Sequence, residues 1–99
     1  MYKRQAYGVA SAADERFAVL AAEQLRPFGV SSVAVRPGLV RTEAVSRFAG
    51  MIDLTSSRSP VGVGRALAAL ARDRRAIELS GQVLEVDELA ARYGVDVRS

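Results

Sequence analysis

Residues 30–38, VSSVAVRPG, are the stretch from which the fold of this chain can be predicted. Val33, Ala34 and Val35 are small or β-branched, as residues of strands commonly are. A nearly continuous apolar run of this kind is typical of a parallel strand that is covered on both faces. We therefore expect a strand over Val30–Arg36, which Pro37-Gly38 ends.

The segment before this strand has helical spacing, from Gly8 to about Arg26. Four apolar residues recur at intervals of one and two helical turns and define a predicted apolar face, namely Ala13, Phe17, Leu20 and Ala21. Pro27 and Gly29 follow, and both residue types are common just beyond the end of a helix. The pattern therefore predicts one long amphipathic helix that leads into the strand.

The segment after the strand begins with a long irregular stretch, Leu39–Ser59, with a helical turn expected near Glu43–Met51. A second helix is predicted from Pro60 to about Arg74, with Ser59 as its N-cap and proline at its first position. Gly62-Val63-Gly64 lies at the start of this helix without a preceding strand, so we interpret these glycines as a helix-packing feature.

A second strand is predicted over Gln82–Val86, followed by a short helix over Asp87–Tyr93 that Gly94 ends. Asp87 and Glu88 are expected to cap this helix, because acids suit its positive end. Two strands joined by a helical crossover indicate a parallel βαβ unit. The predicted fold class is α/β, the incomplete C-terminal βαβ portion of a Rossmann-like, doubly wound parallel sheet.

Composition excludes several kinds of site. The 99 residues contain no cysteine and no histidine, which excludes disulfides, thiolate zinc sites and histidine catalysis within this chain. No metal is expected, and no apolar run has the length of a membrane span, so we expect no membrane partner and a cytoplasmic location. Arginines alternate with acids as on solvated helix faces, so we expect no nucleic-acid partner.

The first five residues differ from the rest. They hold Lys3, the single lysine of an arginine-rich chain, and they join no periodic pattern. We interpret residues 1–5 as a non-native segment translated from a sequencing adapter, and residues 6–99 as the C-terminal part of one domain. Without Lys3 and Arg4 the net charge falls from +3 to +1, which again disfavours a nucleic-acid binder.

Three segments, in this order and spacing, resemble the short-chain dehydrogenase/reductase family. The first is Tyr7–Ala13, YGVASAA; the second is Pro37–Thr42, PGLVRT; and the third is Leu79–Leu84, LSGQVL. The segment Glu88–Gly94 is similar to one subgroup of that family. The loop motif together with the upstream tyrosine is a fairly specific combination, whereas either one alone is weak.

The resemblance implies roles for particular residues. Tyr7 matches the general acid/base of the family, and Ser11 occupies the position of the lysine that lowers the pKa of that tyrosine. Pro37, Gly38, Val40 and Thr42 match the loop that contacts the nicotinamide, with Val40 offering backbone groups and Thr42 its hydroxyl. Residues 43–59 match the variable substrate-binding loop.

The resemblance also implies a parent protein that uses NAD or NADP to move hydride to or from a small-molecule carbonyl or alcohol substrate, and that forms a homo-oligomer. The glycine-rich phosphate turn, the acidic ribose residue and the catalytic serine of the family are absent from these 99 residues. We therefore expect this chain to be inactive and to bind neither cofactor tightly. The alternative is a non-catalytic interaction or scaffold protein, which Ser11 in the lysine position allows.

Overall fold

The computed structural model describes residues 2–38, 40 and 57–99, with the backbone alone for residues 2–7. The helical turn expected near Glu43–Met51 lies outside these residues. The chain divides into two compact units. The first comprises residues 1–34 and 74–83, and the second comprises residues 35–73 and 84–99.

Helices and strands alternate along the described residues. In chain order they are α1 (Tyr2–Leu25), β1 (Ala34–Arg36), α2 (Pro60–Arg72), β2 (Val83–Glu85) and α3 (Val86–Tyr93), with short 3-10 turns at Arg26–Phe28 and Ala76–Leu79. The two strands are neighbours in a parallel sheet. This arrangement confirms the α/β class and agrees with the incomplete Rossmann-like sheet expected from the sequence.

The buried side of α1 is not the predicted one. Phe17 is 74 % exposed and Leu20 is 43 % exposed, whereas Ala22 is 2 % exposed. A Cβ at Gly81 would lie 3.6 Å from Ala22 Cβ, and the backbone carbonyl of Ala18 accepts a hydrogen bond from Ser32 Oγ (2.8 Å). The predicted face is wrong for Phe17 and Leu20, and the buried residue of this helix is Ala22, whose short side chain allows the Gly81 turn to lie near the helix.

Strand β1 begins four residues later than predicted. Ser32 precedes it, and its backbone N–H donates to Ser80 Oγ (3.0 Å), while its carbonyl accepts from the N–H of Gly81 (2.9 Å). Val30 donates its N–H to the carbonyl of Leu25 (3.3 Å), which continues the end of α1. Val30 therefore bonds to the helix end and Ser32 to a neighbouring turn, and regular strand pairing starts at Ala34.

Helix α2 starts as the sequence predicts. Ser59 Oγ accepts a hydrogen bond from the N–H of Gly62 (2.8 Å), and Pro60 is the first helical residue. The helix ends at Arg72, two residues earlier than predicted. Asp73 has extended backbone angles, and its carboxylate accepts a hydrogen bond from the Tyr93 hydroxyl (2.7 Å), so this contact with α3 replaces another helical turn.

Strand β2 is shorter than predicted because Val86 already belongs to α3. Val86 and Leu89, one helical turn apart, are each 1 % exposed, and Ala66 of α2 is fully buried. Helices α2 and α3 pack against each other, and these three residues lie in the core of the second unit. Burying Val86 in the helix therefore competes with continuing the strand, and helix packing wins.

The start of α2 lies close to the C-terminal segment. A Cβ at Gly62 would lie 2.6 Å from Val97 Cα and 2.8 Å from the Val97 carbonyl carbon. Ser59 donates its N–H to the carbonyl of Val97 (2.7 Å), and Val97 is 6 % exposed. Gly64 has no atom within 4 Å of its Cβ position. The helix-packing interpretation of the two glycines is thus confirmed for Gly62 alone.

We predict that Gly62→Ala destabilises the chain by about 1–3 kcal/mol, because the added methyl meets backbone atoms that must move. Gly64→Ala is the matched control and should stabilise by up to about 1 kcal/mol, since alanine favours the helix and the space is open. Urea denaturation followed by circular dichroism measures both. Equal effects of the two substitutions would show that Gly62 does not determine the contact with Val97.

Candidate functional site

The Pro37-Gly38 loop directly follows β1, as the sequence predicts. Pro37 and Gly38 are exposed and Val40 is half-buried. Gly38 has φ +71°, in the left-handed region that glycine adopts without strain. Val40 forms an isolated parallel bridge with Arg58. The loop therefore lies beyond the carboxyl end of a parallel strand, where open α/β sheets bind ligands.

The Arg58 guanidinium covers one side of Gly38. A Cβ at Gly38 would lie 2.8 Å from Arg58 Nη1, 3.1 Å from Cζ and 3.5 Å from Nε. Three atoms of the planar group thus approach the same point, where any side chain larger than hydrogen would stand. The positive φ of Gly38 favours glycine, and any larger side chain at this position would also displace the Arg58 guanidinium.

Arg58 in turn is held by Asp87 at the start of α3. Arg58 Nε donates to Asp87 Oδ1 (3.1 Å) and Nη2 donates to Oδ2 (2.6 Å), a bidentate pair. The Arg58 side chain is 21 % exposed and that of Asp87 is 42 % exposed. Because the carboxylate is so accessible, we expect the pair to add at most about 1 kcal/mol to stability. Its value lies in fixing the orientation of the guanidinium.

The two groups shift each other's titration. The hydrogen bonds from Arg58, more than its charge, lower the pKa of Asp87 from its ordinary value of 3.8. The same hydrogen bonds raise the pKa of Arg58. The sequence predicted Asp87 as a capping acid, but its carboxylate binds Arg58. Glu88 does serve the cap, since its Oε1 accepts from the N–H of Glu85 (3.3 Å).

The backbone around Arg58 is fixed by its neighbours. Ser57 is fully buried and Ser59 is 6 % exposed, and Ser59 caps α2 while pairing with Val97. Sequence reasoning missed Arg58 because one arginine of thirteen, in a loop-like stretch, carries no distinguishing pattern. Its role becomes visible only where the loop, the residues before α2 and the start of α3 meet.

The other predicted site residues lie elsewhere. Tyr7 and Ser11 lie one turn apart on α1; Ser11 is half-buried, and the side chain of Tyr7 is outside the described part of the chain. Thr42 also lies outside the described residues. Tyr7 and Ser11 belong to the first unit, whereas Pro37, Gly38 and Val40 belong to the second. That all of them contact one nicotinamide ring stays a prediction.

The described residues offer neither a metal site nor a membrane span. Within ranges 2–38 and 57–99 and at residue 40, no group of three or more acidic side chains could hold a metal ion. In the same part of the chain, no helix has both the length and the apolar character needed to span a bilayer.

We predict that the Asp87 carboxyl titrates below 3.8 and that Arg58→Met moves its midpoint up toward that value. Because the folded pKa is lowered, the pair stabilises the chain fully above pH 3.8 and loses its contribution as pH falls through the folded pKa. Carbon NMR of the labelled carboxyl measures the midpoint. A midpoint that Arg58→Met leaves unchanged would contradict the assigned cause.

The chain is similar in sequence to two known proteins of one family. No protein-family model matches the chain. Over 102 aligned positions the chain is 40 % identical to a mouse protein named dehydrogenase/reductase SDR family member 1. It is 33 % identical over 102 positions to the human protein of the same name. Each alignment covers 90 % of this chain, and the chain spans 33 % of each relative. The chain therefore carries sequence of the short-chain dehydrogenase/reductase family, equivalent to about a third of those relatives.

Proposed function

We propose that residues 6–99 are the part of an NAD(P)-dependent oxidoreductase that contacts the nicotinamide and the substrate. The observation that carries the proposal is the Pro37-Gly38 turn, exposed at the carboxyl end of β1 with Gly38 at positive φ. Two relatives named as dehydrogenase/reductases, aligned over 90 % of the chain, support the same assignment. The proposed substrate class is a small carbonyl compound or alcohol.

The loop suits the nicotinamide end of the cofactor. Its exposed backbone leaves room for a planar ring, and Val40 follows on the same stretch with its backbone held by the bridge to Arg58. In our proposal Val40 offers backbone groups to the carboxamide and Thr42 offers its hydroxyl. NAD(P), when bound, supplies or accepts hydride at C4 of the nicotinamide. These residues orient the ring and exclude water from one side of it.

Tyr7 carries the proton in this proposal. A phenol with an ordinary pKa of about 10 must have that pKa lowered before it can exchange a proton near neutral pH. Ser11, one turn along α1, carries no positive charge and cannot favour tyrosinate by Coulomb attraction. In the proposed enzyme, a smaller fraction of Tyr7 is therefore ionised at neutral pH than in a relative with lysine at this position.

The cofactor phosphates need residues that this chain does not supply. Its sequence contains no glycine-rich phosphate turn of the family type. The chain spans 33 % of each relative, and in our proposal the phosphate turn and the catalytic serine are supplied by residues outside the 99 of this chain. Homo-oligomer formation and a cytoplasmic location remain predictions.

The test uses the protein translated from the complete genomic reading frame that contains residues 6–99. We expect Tyr7→Phe to lower kcat by about 10²–10⁴-fold, since the phenol proton is lost while the ring is kept. Oxidation of NADH or NADPH in the presence of a panel of aldehydes and ketones measures this at 340 nm. Unchanged turnover in Tyr7→Phe would refute the proposed role of Tyr7.

Ser11→Lys distinguishes an enzyme whose activity is reduced by serine at the lysine position from a protein without catalytic activity. A lysine at this position should lower the pKa of Tyr7, raise kcat at neutral pH and shift the pH–rate profile to lower pH. Ala12→Lys is the matched control, because it adds the same charge to the same helix at an exposed neighbouring position. If the unaltered protein and Ser11→Lys both lack turnover with every substrate, the non-catalytic alternative is favoured.

A further inference from the structure

We propose that Arg58 is a positioning residue that holds Gly38 and Val40, on the loop after β1, in the arrangement that receives the nicotinamide. The expected effect on cofactor binding rests on the proposed function. The expected effect of Arg58 on the backbone order of Gly38 and Val40 does not. Nothing in the sequence pattern marks Arg58, and the comparisons assign it no role. Three contacts meet at the side chain and backbone of Arg58.

The first contact covers the turn. Nη1, Cζ and Nε of Arg58 lie 2.8, 3.1 and 3.5 Å from the Cβ position of Gly38. The guanidinium thus lies across Gly38 on the side where a side chain would project. Glycine adopts a positive φ without strain, as Gly38 does here, but it can also adopt several other backbone conformations. A rigid group against it removes alternatives that the glycine alone would allow.

The second contact fixes the guanidinium itself. Asp87 accepts from both Nε and Nη2, so the plane of the group cannot rotate without breaking two hydrogen bonds. The bidentate fork is what distinguishes arginine from lysine in this position, since an ammonium group is a point charge without a plane. Arg58 is thereby oriented by α3, an element with a packed and buried face.

The third contact is through the backbone. Val40 and Arg58 form a parallel bridge, so the loop is tied to Arg58 two residues after the turn as well as at Gly38. Ser57 and Ser59, both buried, hold the backbone of Arg58 on either side. The loop is therefore supported at two points by one residue that is itself held in place by buried neighbours and by Asp87.

The structural test measures backbone order in the 99-residue chain without cofactor. In the unaltered chain we expect NMR order parameters of about 0.85 at Gly38 and Val40, and below about 0.6 in Arg58→Met. Asp87→Asn should lower them in the same direction, because it releases the guanidinium. Arg75→Met is the matched control, since it removes another arginine–carboxylate pair, Arg75–Glu78, from the first unit.

Arg58→Lys distinguishes the bidentate hydrogen bonding of the guanidinium from its positive charge, because lysine keeps only the charge. We expect it to keep thermal stability near that of the unaltered chain but to leave Gly38 and Val40 as mobile as in Arg58→Met. If Arg58→Lys restores full order, charge alone is sufficient and the positioning proposal is wrong. It is also wrong if Arg58→Met and Asp87→Asn leave the order parameters unchanged while both variants remain folded by circular dichroism.

The functional test uses the longer protein. Arg58→Met should raise KM for NADH or NADPH by about tenfold and change kcat by less than about threefold, the signature of binding lost equally from the ground state and the transition state. A loop that loses order with no change in KM would overturn the role in cofactor binding. If the unaltered protein neither binds nor turns over either cofactor, the proposed function fails, and the order parameters still decide whether Arg58 holds the loop.

Discussion

The contact between the Arg58 guanidinium and Gly38 is the constraint on which the candidate site depends. A planar cation with two of its donors engaged by Asp87 lies where the side chain of residue 38 would be, so a larger residue there would displace the guanidinium as well as strain a backbone of positive φ. The pair is too exposed to contribute much to the free energy of unfolding. In our proposal its contribution is geometric, since it fixes the orientation of a guanidinium that lies against the loop after β1.

Packing in the second unit supports the contact between Arg58 and Gly38. Ser59 caps α2, Gly62 brings the helix against Val97, and buried residues of α2 and α3 form the core beneath. Arg58 lies one residue before the cap, so the same close packing that anchors α2 also anchors the backbone of Arg58. Asp87 lies on the first turn of α3, next to the buried Val86. The Arg58–Asp87 pair is therefore positioned by two helices that pack through buried residues.

Much of the fold could be predicted from the sequence, because its signals are local. The Ser59-Pro60 helix start, the Pro37-Gly38 turn and the alternation of helix and strand depend on backbone chemistry within a few residues. The failures occurred where distant segments compete. Ser32 takes partners from Ser80 and Gly81, and Val86 is buried in a helix instead of extending the strand. The buried residue of α1 is Ala22, which lies near the Gly81 turn, and not the predicted Phe17.

Some residues of the candidate site could likewise be identified from the sequence, and others could not. The motif residues Tyr7, Pro37, Gly38, Val40 and Thr42 could be named from sequence because they lie in short segments that resemble a known family. Arg58 and Asp87 could not, since they lie 20 and 49 residues beyond Gly38 and are related only by the fold. Asp87 was identified as a helix-terminal acid, which is its local chemistry, and its tertiary role replaced that expectation.

The most direct test of the account is whether the nicotinamide ring contacts both the loop and Tyr7. Intermolecular NOEs from the nicotinamide H4 protons of bound NADH or NADPH can be recorded in the longer protein with labelled valine methyls and tyrosine rings. The account predicts NOEs to the methyl groups of Val40 and to the ring protons of Tyr7 in one complex. NOEs to other residues, with none to Val40 or Tyr7, would contradict it.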